Sequence, residues 1–252
     1  LLIWNGNRIV IFLFHWLLFR LRFLSGVSKL EDPSWLNLTT LNYYFETQPL
    51  PHIGAWYFHQ LPDWLLKTGT GFTLFVELLV PFFIFLPRRF RLFAAFVTIF
   101  LQLLIIASSN HNWINLLTIA LCLFLLDDRF MQSLRGLIAE NTVTVKNSAT
   151  IKNRWAELVS GVMAAIIIST SVAVTARVMM NVNVPEAFNW IRAWGLGNAY
   201  HVFPTMQIER HELSIEGSYD GMEWKKYLFK YKPNHPGEVP PFIIPHQPRL
   251  DW

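Results

Sequence analysis

The stretch LLKTGTGFTLFVELLVPFFIFL, Leu65 to Leu86, decides the fold. About 20 mostly apolar residues carry a helix across ~30 Å of hydrocarbon. This run is long enough, and only Lys67 near its start and Glu77 near its middle break its apolar character. Pro87-Arg88-Arg89-Phe90-Arg91 follows, and then a second apolar run, Leu92 to Ala107, with Gln102 inside it. Two such runs around an arginine-rich hairpin read as two membrane spans, with the hairpin on the cytoplasmic side.

Working outward, Trp113 to Leu126 is a shorter third run. Trp155 to Met180 is a fourth, free of charge from Leu158 to Ala176. Ile9 to Leu24 comes first in the chain and is apolar, but it carries His15, Arg20 and Arg22. No small-residue cleavage site follows it, so it reads as a span rather than a cleavable signal peptide. Composition agrees: 53% of residues are hydrophobic and 15% charged, where a soluble domain has roughly a quarter charged. That excludes disorder as the main state. It also argues against a soluble helical core, whose long helices keep a polar face. Net charge is +4, too mild for a nucleic-acid footprint. Cys122 is the lone cysteine, so no disulfide scaffold is expected. The chain opens on Leu1 and stops at Asp251-Trp252, and is expected to be part of a longer protein.

Loop charge sets the expected orientation. The loop from Asp127 to Arg154 is net basic and suits the cytoplasm. The loop from Ser25 to Trp64 has Lys29 against Glu31, Asp32, Glu46 and Asp63, and suits the outside. Five spans satisfy these assignments, with the N-terminus inside and the tail outside. Arg20 and Arg22 then lie at the outer end of the first span, where they must snorkel or find an anionic partner. The expected fold is mainly α: a polytopic transmembrane helical bundle of about five spans, then a partial, small, β-rich sandwich-like domain. Residues 1–180 form the transmembrane domain, with an outer loop at 25–64 and a cytoplasmic loop at 127–154. Residues 181–252 form the extramembrane β-rich domain. In it, MQIERHELSIE (Met206–Glu216) and WKKYLFKY (Trp224–Tyr231) flank the turn cluster Gly217-Ser218-Tyr219-Asp220-Gly221 and predict a hairpin. A short interfacial helix is expected from Tyr57 to Leu66, turning into the next span.

Several residues carry candidate chemistry. Lys29, at the mouth of the first span, reads either as a base or nucleophile with a lowered pKa or as an interfacial lysine paired with Glu31 or Asp32. Glu77 lies mid-span, where an ionisable group costs about 2.5–3.5 kcal/mol. It must face the bundle interior and find a partner, in a functional role or in a helix–helix hydrogen bond. Pro81, four residues on, predicts a kink there. Asn110, His111, Asn112 and Asn115 read as a tight turn capping a helix. The histidines at 52, 59, 201, 211, 235 and 246 show no HxxxH spacing, so no metal site is expected. Neither a phosphate-binding glycine loop nor a GxSxG elbow is present, and no cofactor is implied. Asn37-Leu38-Thr39 is a glycosylation sequon in the outer loop.

Long blocks of the chain resemble the lipase maturation factors. They are SGVSKLEDPSWLNLTTLNYYFETQPLP (Ser25–Pro51), VELLVPFFIFLPRR (Val76–Arg89) and NWINLLTIALCLFLLDD (Asn112–Asp128), followed in the tail by FPTMQIER, IEGSYDGMEW, FKYKP and PPFIIPHQPRLDW. The resemblance implies a multi-pass membrane protein that assists folding and assembly of secreted clients such as lipases. The implied location is the endoplasmic reticulum membrane in a eukaryotic host and the inner membrane in a bacterial one. The expected partners are membrane lipids and secreted or membrane client proteins, with no nucleic acid. The first half is also distantly similar to the transmembrane region of the vitamin K-dependent carboxylase, in which a lysine at the end of a comparable span serves as base; Lys29 is the matching position. Dithiol exchange within this chain is excluded by its lone cysteine. The matching blocks nominate Lys29, Asp32, Trp35, Tyr43, Glu46, Gln48 and Pro49 in the loop, and His246, Gln247, Arg249 and Asp251 in the tail, as client-facing or structural residues. The alternative is a carboxylase-like membrane enzyme with Lys29 as base and Glu77 or His59 beside it.

Overall fold

A computed structural model of the chain describes residues 8–48, 51–110, 113–127, 130, 154–199, 202, 204–211, 213–230, 233–235 and 237–240. Four helical segments in it are long and apolar enough to cross a membrane: Arg8–Lys29, Asp63–Phe85, Arg88–Ser108 and Arg154–Met180. A shorter apolar helix, Trp113–Leu123, completes the expected set. In chain order the helices are α1 (Arg8–Lys29), α2 (Pro33–Leu36), α3 (Thr40–Tyr44), α4 (Ile53–His59), α5 (Asp63–Leu78), α6 (Arg88–Ser108), α7 (Trp113–Leu123), α8 (Arg154–Met180) and α9 (Glu186–Ala193). A 3-10 segment, Val80–Phe85, follows α5.

The helices are patterned for lipid. Helix α6 exposes Phe90, Phe93, Phe96, Phe100 and Leu103 and buries Ala94, Ala95, Thr98, Leu101 and Gln102. Helix α8 exposes Leu158, Val159, Val162 and Val172 and buries Ser160, Ala164, Thr170 and Ser171. Small and weakly polar residues between helices with large apolar ones outside is the membrane arrangement, because lipid tails solvate Phe and Leu as well as a protein core does.

The chain divides into two compact units. The first comprises residues 1–28, 75–99 and 118–202. In it, α1 packs on the 3-10 segment through aromatic rings: Phe19 lies edge-on to Phe82 and Phe85 at 5.3 and 5.4 Å, and Phe23 meets Phe82 at 5.2 Å. Pro81 ends the α-helical hydrogen bonding rather than merely bending it, so the last six residues of the span continue as the 3-10 segment. The segment after α7 reaches the start of α6: Arg91 Nε donates to the Leu125 carbonyl at 3.1 Å, and Arg88 pairs with Asp127. Because α7 also starts just after α6 ends, Trp113 to Asp127 runs the length of α6 in the opposite direction despite its shortness.

The second unit comprises residues 29–74, 100–117 and 203–252. Its apolar core is Phe45, Ala55 and Leu66, covered by Leu41, Tyr44, Phe58 and Leu61. The helix expected at Tyr57–Leu66 instead lies at Ile53–His59, because Pro62 and the turn before it separate it from α5. The predicted hairpin is present but short. Strands β1 (Glu216–Gly217) and β2 (Lys225–Lys226) pair antiparallel, Glu216 with Lys226 and Gly217 with Lys225. This is the one sheet among the described residues; two exposed strands bury no face that would extend the ladder.

Candidate functional site

In the second unit the site is built on the loop that leaves α1. Asp32 has extended backbone and caps α2, with Pro33 at its first position. Its Oδ1 accepts the Ser34 N–H at 2.7 Å, and its Oδ2 accepts the N–H of Met206, in the tail, at 2.7 Å. Burial pushes the Asp32 carboxyl upward, but the Met206 and Ser34 bonds outweigh it and hold the group below the ordinary carboxylate value. Lys29 is buried, with its Nζ 5.0 Å from the centre of the buried Trp35 ring, in cation–π range.

The rest of the loop is fastened to the end of α6. The last carbonyls of a helix lack partners within it. Gln48 Nε2 donates to one of them, the Ser108 carbonyl, at 3.0 Å. Asn110 Nδ2 donates in turn to the Pro51 carbonyl at 3.0 Å. His52 caps α4 by accepting the Gly54 N–H on Nδ1 at 2.9 Å. Gly54 itself is seated so tightly that a β-carbon there would lie 1.8 Å from the Ala107 carbonyl oxygen. The tail ties in a second time, where the Arg210 guanidinium donates to the Gln48 carbonyl. Around this polar frame the loop exposes Trp56, Tyr57 and Trp64, and the tail exposes Ile208, Leu213, Tyr219, Met222 and Trp224.

Thus Lys29, Asp32, Trp35 and Gln48 are buried or half-buried framework residues. Tyr43 is half-buried, and its carbonyl accepts the Thr47 hydroxyl at 2.9 Å. Glu46 and His59 are exposed. Pro49, His246, Gln247, Arg249 and Asp251 lie outside the described residues, as do His111, Asn112 and His201. Arg210 and His52 were not among the nominated residues. Arg210 lies in a quoted tail block, which is the one signal that pointed to it; the capping role of His52 had none, since a histidine reads first as a ligand.

The first unit holds the intramembrane charges. Arg22 Nη2 donates to Glu77 Oε1 at 2.8 Å, and the two side chains are 5% and 4% exposed. Arg20 donates to the Ser171 hydroxyl on α8 and, at 2.6 Å, to the Asn198 carbonyl. Both arginines therefore find partners inside the protein rather than snorkelling, one anionic and one neutral. Among the described residues no three His, Cys, Asp or Glu side chains gather where a metal ion would bind.

The sequence profile of the lipase maturation factor transmembrane domain matches residues 3–133, more than half of the chain. The chain belongs to the lipase maturation factor family. The profile of the lipase maturation factor C-terminal domain matches residues 196–252 as well. Lipase maturation factor 2 of Xenopus laevis is 32% identical over 99% of this chain and 49% of its own length. The human lipase maturation factor 2 is 31% identical over 95% of this chain and 48% of its own. Mouse lipase maturation factor 1 is 32% identical over 98% of this chain and 46% of its own. The chain thus spans about half the length of these curated relatives. No solved structure matches it. Family and span pattern together make this lipase maturation factor chain part of an integral multi-pass membrane protein.

Proposed function

We propose that this lipase maturation factor chain holds secreted client proteins, lipases among them, on one aromatic surface beside the bilayer while they fold and assemble. The observation that carries the reading is the double tie of loop to tail, Met206 N–H to Asp32 and Arg210 to the Gln48 carbonyl. Residues so bonded lie on one side of a membrane. Between Lys29 and the tail the chain passes α5, α6, α7 and α8, so a shared side for loop and tail supports counting α7 as a crossing, and the acidic balance of the loop supports taking that side as the outer one. Exposed Trp, Tyr, Leu and Met from both pieces then make a surface suited to the apolar patches of an unfinished client. The compartment is the endoplasmic reticulum lumen in a eukaryotic host and the periplasmic face in a bacterial one. Lys29, held over Trp35, serves this reading as a structural cation rather than a base.

The test is co-expression of the full-length protein with a secreted lipase in cells lacking their own maturation factor. The wild type should raise the specific activity of secreted lipase. Asp32→Ala combined with Arg210→Ala should lose most of that gain at unchanged membrane abundance. A lipase as active without the protein as with it defeats the reading. So does a small-molecule product that appears with the wild type and disappears with Lys29→Met while lipase yield stays constant.

A further inference from the structure

The path of the chain after α8 is set by four contacts within the first unit. Arg20 and Ser171, which bond each other, each lie about nine residues before the end of their helix, roughly 13 Å below it at 1.5 Å per residue. The same arginine donates to the Asn198 carbonyl. A chain that left α8 at Met180 has therefore come back by about 13 Å when it reaches Asn198. Helix α9, with eight residues, is about 12 Å long, enough to span most of that distance. At the bottom, Gly197 has φ +73°, and a β-carbon there would lie 2.8 Å from Cβ of Thr170. Only glycine allows both the left-handed turn and so close an approach to α8. The return is marked by the Val202 N–H, which donates to Ser25 Oγ at 3.2 Å, nearer the end of α1.

We propose that residues 181–199 form a re-entrant segment, dipping into the half of the bilayer in which α1 and α8 end, and that the Trp190–Trp194 face of α9 is its contact with lipid. Non-helical backbone at membrane depth persists only where protein groups satisfy it. Arg20 does so for the Asn198 carbonyl, which gives a mid-span arginine its purpose. Trp190 and Trp194 stand one turn apart with rings 6.0 Å from centre to centre, and they are 66% and 70% exposed. Val172, Val178 and Met179 of α8 are exposed too. Tryptophan is the side chain favoured where hydrocarbon meets headgroup, and Glu186 opens the helix at its upper end. The occupant of this face is the bilayer, and the proposal stands whether or not the chain handles clients.

Cys122, the lone cysteine of this sequence, is buried, and any further cysteine of the full-length protein is replaced by serine before labelling. Trp190→Cys and Trp194→Cys, both at exposed positions, are spin-labelled in the full-length protein in phosphatidylcholine–phosphatidylglycerol vesicles. Leu103→Cys on α6 is the lipid reference and Met222→Cys in the hairpin turn the water reference. Collision with oxygen and with a water-soluble nickel chelate should place 190 and 194 with 103, the label at 194 deeper than that at 190. Arg20→Leu should raise nickel access at 194 several-fold, while Arg20→Lys raises it less. Nickel access at 190 and 194 equal to that at 222 overturns the proposal and returns both tryptophans to the aqueous surface. Unchanged depth at 194 in Arg20→Leu overturns the part assigned to the arginine.

Discussion

Separating Arg22 from Glu77 should destabilise the protein more than removing both. The ion pair is 2.8 Å long, with both side chains about 95% covered. At a charge separation of ~4 Å and an effective dielectric constant of ~20 the attraction is about 4 kcal/mol. Breaking a buried pair by deleting one partner typically costs about 3–5 kcal/mol, because the survivor stays buried and uncompensated. Replacing both by apolar residues of similar size removes attraction and desolvation cost together and is often near neutral. Arg22→Met and Glu77→Met should therefore each lower stability by about 3–5 kcal/mol, and the double variant by less than either, a coupling of at least ~2 kcal/mol. The assay is thermal unfolding of purified full-length protein in one detergent, followed by loss of the monodisperse chromatographic peak, with the wild type, both single variants and the double variant measured together. Each single variant should shift the midpoint downward by about 10 °C, taking ~2–4 °C per kcal/mol. Single effects that simply add in the double variant refute the reasoning, and so does a Glu77→Met protein as stable as the wild type.

Three further outcomes are expected. Gly54→Ala should push α4 away from the end of α6, since its β-carbon would meet the Ala107 carbonyl oxygen at 1.8 Å; a loss of about 1–3 kcal/mol, read as a lower unfolding midpoint, checks it. His52 is held below the ordinary histidine pKa, first by burial, with the Ala107 backbone working against the shift. Its neutral form belongs to the folded state, so its contribution is complete above about pH 6.5 and is lost as pH falls below that. The wild-type midpoint should drop more between pH 7.5 and 5 than that of His52→Asn, whose amide can still cap α4. In the hairpin turn, the Glu223 and Met222 N–H groups and the Ser218 hydroxyl hold the Asp220 carboxyl down at about 2. Asp220→Ala should therefore open the turn, seen as faster amide exchange at Met222 and Glu223.

Much of this was legible in local sequence. Run length and hydropathy located the crossing segments, and the cluster at residues 217–221 located the hairpin. Glu77 was expected to be buried and partnered because a mid-span carboxylate has no other tolerable state. The identity of its partner was not legible. Arg20 and Arg22 looked like a violation of the charge rule for spans, and nothing in their neighbourhood shows that one meets an acid on α5 and the other a serine on α8 and a returning backbone. The helix at Ile53–His59 was displaced from its expected place because aromatic content suggested an interface, whereas the proline decided the boundary.

Sequence alone determined that this chain crosses a membrane repeatedly, where it crosses, and which family's blocks it carries, because hydrophobic period and charge bias act over a few neighbouring residues. Tertiary structure decided that Asp32 holds a backbone amide 174 positions away, that Gln48 closes the end of α6, and that the segment after α8 turns back along it. Those outcomes depend on which donors and carbonyls the packed helices leave without partners, and each such shortage exists only once distant segments stand side by side.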